Sequence, residues 1–217
     1  YKGIKLHWLG HASFKITNKL VIYIDPYLIP PTLEKADLIL VTHEHFDHCA
    51  VDNIKKLVKD DTVIIATEDC IAKLAGLNVK GVRPNQTLEV KGIKIKTVPA
   101  YNLNKNFHTK ASNWVGYIIE IDGVRIYHAG DTDFIPEMKE LKNIDIALMP
   151  VGGTYTMNAK EAAEAVNCFK PKVVIPMHYG SIVGSMSDAE KFMERIKTET
   201  KARIEILDNN QKNKIEV

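Results

Sequence analysis

Cysteine is scarce in this 217-residue chain, which contains only Cys49, Cys70 and Cys168. The count is odd and no pair has CxxC spacing, which argues against a disulfide framework and against a structural zinc knuckle. Such sparing use of cysteine is typical of a reducing compartment, so we expect a cytoplasmic protein.

Long hydrophobic runs and blocks of like charge are also absent. No apolar segment approaches the ~20 residues that span a bilayer, and the opening YKGIKLHWLGH lacks the continuous apolar region of a signal peptide. The formal net charge is +2, with Lys and Arg scattered along the chain. We therefore expect no membrane segment, no signal peptide unless one was removed, and no default nucleic-acid partner. The hydrophobic content of 45% is that of an ordinary globular protein.

Short apolar segments in the first half predict strands rich in branched and aromatic residues. These predicted strands are residues 3–9, 12–17, 19–25, 36–42 and 62–67, followed by the strand-like stretch 79–98. Apolar residues at helical spacing predict a helix at 51–58, and a shorter helix is predicted at 68–76. Residues 99–113 are polar and lack periodicity, which indicates a functional or disordered loop.

The second half opens on a predicted hairpin around Asp122-Gly123 and then alternates strands with helices. The predicted elements are strand 145–150, helix 158–169, strand 171–177, helix 187–197 and strand 202–207. Asn158 with Glu161 and Ser187 with Glu190 are predicted to cap the two helices. In each half, strands come first and strand–helix units follow. This order predicts an α/β fold in which two sheets pack face to face with helices outside. That is a four-layer αββα sandwich, in a single domain of residues 1–217.

Histidine or aspartate stands at the end of four of the predicted strands, at Asp25, His43, Asp131 and His178. Sites in α/β sheets lie outside the carboxyl ends of strands, so these four positions predict one constellation. Asp25 is expected to orient a ligand histidine or hold the neighbouring loop, unless it only ends the strand before a proline. His128, inside a strand pattern, is predicted to be structural.

The segment HEHFDH, residues 43–48, crowds three imidazoles and a carboxylate into six positions. Burying such groups unpaired is costly, and a helix cap at Asp47 would not need three histidines. Imidazole with carboxylate suits Zn²⁺, Mn²⁺ and Fe²⁺. In an extended segment His43, His45 and Asp47 project to one side and His48 to the other, so one loop could serve two metals. Asp131 is then the predicted bridging carboxylate, between ions ~3.5–4 Å apart.

This six-residue motif, together with GDT at 130–132 and PMHYG at 176–180, resembles the metallo-β-lactamase superfamily of metallohydrolases. The segments WLGHASF, IDPYL, HAGDTDF and VGGTYTM are most similar to its small single-domain branch, which includes L-ascorbate-6-phosphate lactonase-like hydrolases. The resemblance implies the αββα sandwich and a hydrolase that uses a metal-bridging hydroxide. It also implies two divalent metal ions, for which we expect zinc, with manganese and iron as alternatives.

The resemblance further implies a division of the ligands. One metal takes His43, His45 and a further histidine, the second takes Asp47, His48 and His178, and Asp131 bridges them.

His108 is expected to be that further histidine. Many relatives place it directly after a strand and its proline, where this chain has VPAYN at 98–102. His108 is the nearest histidine, inside the polar loop. The alternative is that His108 is a mobile flap residue and that the first metal is under-coordinated or completed by Asn102. Tyr155 is expected to line the pocket.

The same resemblance gives catalytic roles to Asp47, as a proton acceptor, and to His11, as a substrate contact or proton donor, although His11 also suits a simple turn. Ester, lactone and phosphodiester bonds all fit this machinery. We expect a small-molecule substrate, and Lys105 and Lys110 beside His108 leave an anionic one open. A phosphodiesterase or nuclease and a non-hydrolytic di-metal redox or sensor protein are the alternatives. The sequence does not fix the substrate, the metal or whether the chain forms a homo-oligomer.

Overall fold

The computed structural model describes residues 1–29, 34–196 and 203–204. The chain divides into two compact units, the first covering Tyr1–Arg83 and the second beginning at Pro84. Each unit contains one β-sheet. The single domain expected for residues 1–217 stays a prediction.

Six strands form the sheet of the first unit. They are β1 (Lys5–Gly10), β2 (Ser13–Thr17), β3 (Val21–Ile24), β4 (Leu38–Val41), β5 (Val63–Thr67) and β6 (Val79–Val82). The strands lie in chain order, antiparallel from β1 to β3 and parallel from β3 to β6. Every residue of β3 and β4 is buried, as parallel strands covered on both faces require. Helix α1 (Val51–Leu57) packs Ile54 and Leu57 into the core of this unit.

The helix predicted at 68–76 is wrong. The chain makes a single 3₁₀ turn, Glu68–Cys70, and continues in further turns. Only Cys70 and Leu74 of this segment are buried, whereas Ile71 is exposed. Because so few of its side chains are buried, the segment has no apolar stripe wide enough to hold a helix.

Seven strands form the sheet of the second unit. They are β7 (Thr87–Val90), β8 (Ile93–Pro99), β9 (Val115–Ile121), β10 (Val124–His128), β11 (Ile146–Pro150), β12 (Val173–Met177) and β13 (Arg203–Ile204). They also lie in chain order, antiparallel from β7 to β10 and parallel from β10 to β13. The predicted hairpin at Asp122-Gly123 is confirmed between β9 and β10. The rest of the strand predicted at 202–207 lies outside the described residues.

This unit also contains helix α2 (Ala159–Phe169), between β11 and β12, and helix α3 (Met186–Ile196), between β12 and β13. The predicted cap of α2 is confirmed, because the Asn158 side chain accepts the backbone N–H of Glu161 and the Glu161 carboxylate accepts that of Asn158. Among the described residues, no helix is long and apolar enough to cross a membrane.

The capping pair predicted for α3 is wrong by two residues. The Asp188 carboxylate accepts the backbone N–H and the hydroxyl of Ser185, at 2.8 and 2.9 Å. The capping pair is therefore Ser185 and Asp188, not Ser187 and Glu190. The helix accordingly begins at Met186.

Candidate metal centre

Apart from His108, which lies in the loop between β8 and β9, the predicted ligands and their support Asp25 follow the carboxyl ends of parallel strands within each unit. In the first unit Asp25 follows β3 directly, and the HEHFDH segment begins two residues after the paired strand β4. In the second unit Asp131 follows β10 closely, and His178 follows β12 directly. Parallel strands deliver their carboxyl ends to one edge of a sheet. Residues far apart in sequence therefore meet there.

Asp25 is fully buried and anchors the histidine segment of the first unit. Its Oδ1 accepts the Thr42 N–H at 2.8 Å, and its Oδ2 accepts the Thr42 hydroxyl at 2.6 Å. The same Oδ2 lies 2.7 Å from His48 Nδ1. A carboxylate at that nitrogen holds the imidazole proton on Nδ1 and leaves the ligand lone pair on Nε2. These contacts are those of a residue that both holds the loop and orients a ligand.

His43 and His45 turn ring nitrogens toward each other, with His43 Nε2 and His45 Nδ1 3.1 Å apart. The Thr42 hydroxyl lies 3.0 Å from His43 Nδ1. Since Thr42 gives its single proton to Asp25, His43 is the donor in this contact and has its lone pair on Nε2. The two facing nitrogens therefore fit either one shared proton or one cation.

Asp47 lies against two imidazoles of the first unit. Its Oδ2 is 2.9 Å from His11 Nε2 and 3.5 Å from His48 Nε2. One ligand atom from each of the three residues lies within 4.8 Å of the others. Both His11 and Asp47 are buried, so a charge on either is poorly hydrated and needs a close partner.

Asp131 lies between two histidines of the second unit. Its Oδ2 is 3.1 Å from His178 Nε2 and 3.4 Å from His108 Nε2, and all three residues are buried. His108 Nδ1 donates to the carbonyl oxygen of Tyr155 at 2.9 Å. This bond leaves the lone pair of His108 on Nε2, the nitrogen that faces Asp131. A carboxylate between two imidazoles has the chemistry of a bridging ligand.

Asn102 braces the loop that carries His108. Its Nδ2 donates to the carbonyl oxygens of Phe107 at 3.0 Å and Tyr155 at 2.8 Å. Its backbone N–H donates to the carbonyl oxygen of His108 at 2.6 Å. The amide nitrogen is thus committed to carbonyls that position His108, which gives Asn102 a supporting role for that residue.

Sequence reasoning missed Thr42 and the backbone role of Tyr155. Thr42 stands directly before His43, and that position is its only signal. A carbonyl oxygen has no signal at all in a pattern of side chains. His128, predicted to be structural, accepts the Gly130 N–H at its Nδ1 (3.2 Å) and so shapes the turn that leads to Asp131.

Lys105 and Lys110, which flank His108 in the sequence, are each engaged with a carboxylate. Lys105 Nζ bonds the Asp133 carboxylate and the carbonyl oxygen of Thr156. Lys110 Nζ lies 3.1 Å from Glu137, a hydrogen bond that raises the pKa of Lys110. Burial opposes the ionisation of Glu137, but hydrogen bonds, including that from Lys110, outweigh it and lower its pKa. Both ammonium groups are therefore compensated within the second unit.

Four residues of the candidate site adopt a left-handed backbone: His11 (φ +53°), Asp25 (+44°), His108 (+54°) and His178 (+59°). Residues other than glycine are uncommon in this region, and each costs about 1–3 kcal/mol. Strain of this kind clusters at functional sites. Three predicted site residues and the supporting Asp25 thus share this strained conformation, as do eight non-glycine residues elsewhere in the described chain.

Gly152, shortly after β11, lets the backbone there approach that of His178. A Cβ at this position would overlap the carbonyl oxygen of His178, which cannot rotate away as a side chain can. We expect Gly152→Ala to lower the free energy of unfolding by about 2 kcal/mol. It should also weaken metal binding, because His178 must move. Urea unfolding and metal titration measure the two effects.

Gly81→Ala is the matched control for this substitution. Its Cβ would be closer than ordinary contact only to Ile71 Cδ1, at 2.8 Å, and the Ile71 side chain is exposed and flexible. We expect a loss under about 1 kcal/mol, the usual cost where a neighbour can yield. Equal losses in the two variants would contradict the role given to Gly152.

Comparison with known proteins gives concordant matches. Residues 5–178 match the family model described as Beta-lactamase superfamily domain. The UPF0173 metal-dependent hydrolase of Thermococcus onnurineus is 40% identical over 209 residues, which cover 89% of this chain and 92% of the relative. A crystal structure from Parabacteroides distasonis aligns with a TM-score of 0.85 at 37% identity, covering 94% of this chain and 92% of that one. Igni18, a metallo hydrolase from Ignicoccus hospitalis, aligns at 0.79 with 26% identity over 96% of both chains.

Proposed function

The chain belongs to the beta-lactamase superfamily as a metal-dependent hydrolase, and from this premise we propose that it is a dinuclear enzyme acting on an ester, lactone or phosphodiester bond of a small molecule. The superfamily resemblance, the metallo-β-lactamase fold class and the hydrolase class predicted from sequence are confirmed by these matches. Our proposal adds three points: that two ions are bound, that the metal is zinc, and which kind of bond is cleaved.

We propose that the predicted ligands hold a pair of divalent ions. The first ion takes His43, His45 and His108, the second takes Asp47, His48 and His178, and Asp131 bridges. The observation that carries this proposal is the contact of Asp131 Oδ2 with the Nε2 atoms of both His108 and His178. The donors fit a divalent ion, because all are imidazole nitrogens or carboxylate oxygens and three of the imidazoles have their Nδ1 committed to an acceptor.

When bound, divalent ions would supply a hydroxide nucleophile at neutral pH and polarise the substrate oxygen. The chain's own residues handle the protons and the geometry. His11 Nε2 and Asp47 Oδ2, 2.9 Å apart, form a pair along which a proton can pass, with Asp47 as acceptor and His11 as donor to the leaving oxygen. Asp25 holds Thr42 and His48 in place, so the ligand segment needs little reorganisation during the reaction.

The redox alternative gains no ligand from Glu44, the carboxylate within the motif. Lys73 Nζ lies 2.8 Å from the Glu44 carboxylate and donates to the backbone carbonyl oxygen of Glu44 at 2.9 Å. The hydrogen bond to the Glu44 carboxylate raises the pKa of Lys73.

Metal removal and reloading test the proposal. We expect chelator-treated protein to be inactive on a panel of esters, lactones and phosphodiesters. Titration with Zn²⁺ or Mn²⁺, followed by elemental analysis, should show turnover returning as occupancy rises from one ion per chain to two. Full turnover by the metal-free protein, or full activity at a single ion per chain, would refute the dinuclear mechanism.

A further inference from the structure

Two aromatic side chains of the second unit form an exposed apolar pair next to a proposed metal ligand. Phe107 and Tyr155 are 39% and 37% exposed, and their ring centroids lie 5.0 Å apart in an edge-on contact. Leu103, in the same loop as Phe107, is 51% exposed. Single exposed apolar residues are ordinary, but a contacting pair beside a metal ligand marks a place where a ligand loses water.

The pair is attached to His108 through short contacts. Phe107 directly precedes His108, and their ring centroids lie 6.1 Å apart. The carbonyl oxygen of Tyr155 accepts His108 Nδ1–H, and Asn102 Nδ2 donates to the carbonyl oxygens of both aromatic residues. The two rings are therefore held at a fixed place relative to a proposed ligand, as a substrate-binding surface must be.

The charge around the pair argues against an anionic group of the substrate at this position. An anion would need an uncompensated cation, and the two lysines of this loop are not available. Lys105 is bonded to Asp133, and Lys110 to Glu137. A neutral group would meet no such demand.

The first unit, taken by itself, also has an aromatic pair and a paired lysine next to proposed metal ligands. Phe46 lies between His45 and Asp47 in the motif, is 67% exposed and contacts the Tyr27 ring edge-on at 5.8 Å. Both rings line an open pocket of about 470 Å³. The lysine of that pocket, Lys73, is paired with Glu44. Exposed aromatics and compensated lysines thus accompany the proposed ligands of each unit.

We propose that the substrate carries an uncharged apolar group, an alkyl chain or an aromatic ring, beside the bond that is cleaved, and that Phe107 and Tyr155 bind this group. The inference rests on the proposed function and names its substrate class. Apolar surface removed from water contributes binding energy in proportion to its area. Such remote binding energy raises kcat/KM as the apolar group lengthens.

A series of esters tests the proposal with zinc-loaded protein. For 4-nitrophenyl acetate, butyrate and hexanoate we expect kcat/KM to rise about threefold per added methylene. The monoester of adipic acid, which has hexanoate length and a terminal carboxylate, should be at least about tenfold poorer than hexanoate. Phe107→Ala should flatten the series, so that hexanoate loses most of its advantage over acetate. Ile71 is 43% exposed and apolar, and Ile71→Ala should leave the series unchanged.

A binding measurement separates this inference from the proposed function. Calorimetry with butyramide, hexanamide and octanamide, which have no ester bond, should show affinity rising with length in the wild type and flat in Phe107→Ala. If the esters are hydrolysed but neither series depends on chain length, or if the adipate monoester is preferred, the inference fails and the hydrolase stands. If no ester is cleaved but the amides retain their length dependence, the proposed function fails and the apolar site stands.

Discussion

Asp131→Ala is expected to remove at least one metal ion per chain and to lower kcat about 1000-fold or more. The Asp131 carboxylate is buried, and its Oδ2 contacts the Nε2 atoms of both His108 and His178. Without it, two imidazoles lose the negative charge that allows them to hold a cation together. Elemental analysis of the purified variant and its turnover of the best ester or lactone give the two readouts.

Two control variants make this result interpretable. Asp131→Asn keeps the shape and loses the charge, so we expect it to fold like the wild type and still lose the bridged ion. Asp60→Ala removes an exposed carboxylate of the first unit and should change neither readout. Wild-type metal content and turnover in Asp131→Ala would contradict the bridging role. Unfolding curves of all three variants exclude a general loss of structure as the cause.

The elements that the sequence predicted correctly are those whose signal is local. The buried strand at Leu38–Val41 has a continuous apolar run, and the Asp122-Gly123 hairpin has a strong turn dipeptide. The helix expected at 68–76 does not form, although its residue types suit a helix. Too few of its side chains are buried to stabilise one. That condition depends on packing, which a sequence pattern does not contain.

The candidate site divides in the same way. The residue types of its proposed ligands can be read from the sequence, because imidazoles and carboxylates stand at strand ends, where sites in α/β sheets lie. The supports of the site cannot. The oxygen that orients His108 belongs to the backbone of Tyr155, 47 residues away, and any residue type at that position supplies the same atom. Thr42 is similar, because its role depends on the distance to Asp25 across two paired strands.

Asp25→Ala is expected to be the most destabilising of these substitutions, lowering the free energy of unfolding by about 3–5 kcal/mol. The carboxylate is fully buried and accepts three donors: the Thr42 N–H, the Thr42 hydroxyl and His48 Nδ1–H. Removing it leaves those donors buried without their acceptor, and each such group costs about 1–3 kcal/mol. Urea unfolding of the metal-free proteins measures this loss without a contribution from bound metal.

Asp25→Asn separates the stability of the fold from the orientation of the ligand. The amide keeps one oxygen for the Thr42 N–H and fills the same space, so we expect a smaller loss of about 1–2 kcal/mol. Its NH₂ group, however, would donate to His48 Nδ1 and move the imidazole proton to Nε2, the nitrogen proposed to bind metal. Metal affinity should therefore fall about 10- to 100-fold although the protein stays folded. A variant that unfolds like Asp25→Ala, or one that keeps wild-type metal affinity, would show that Asp25 holds the loop without setting the tautomer of His48.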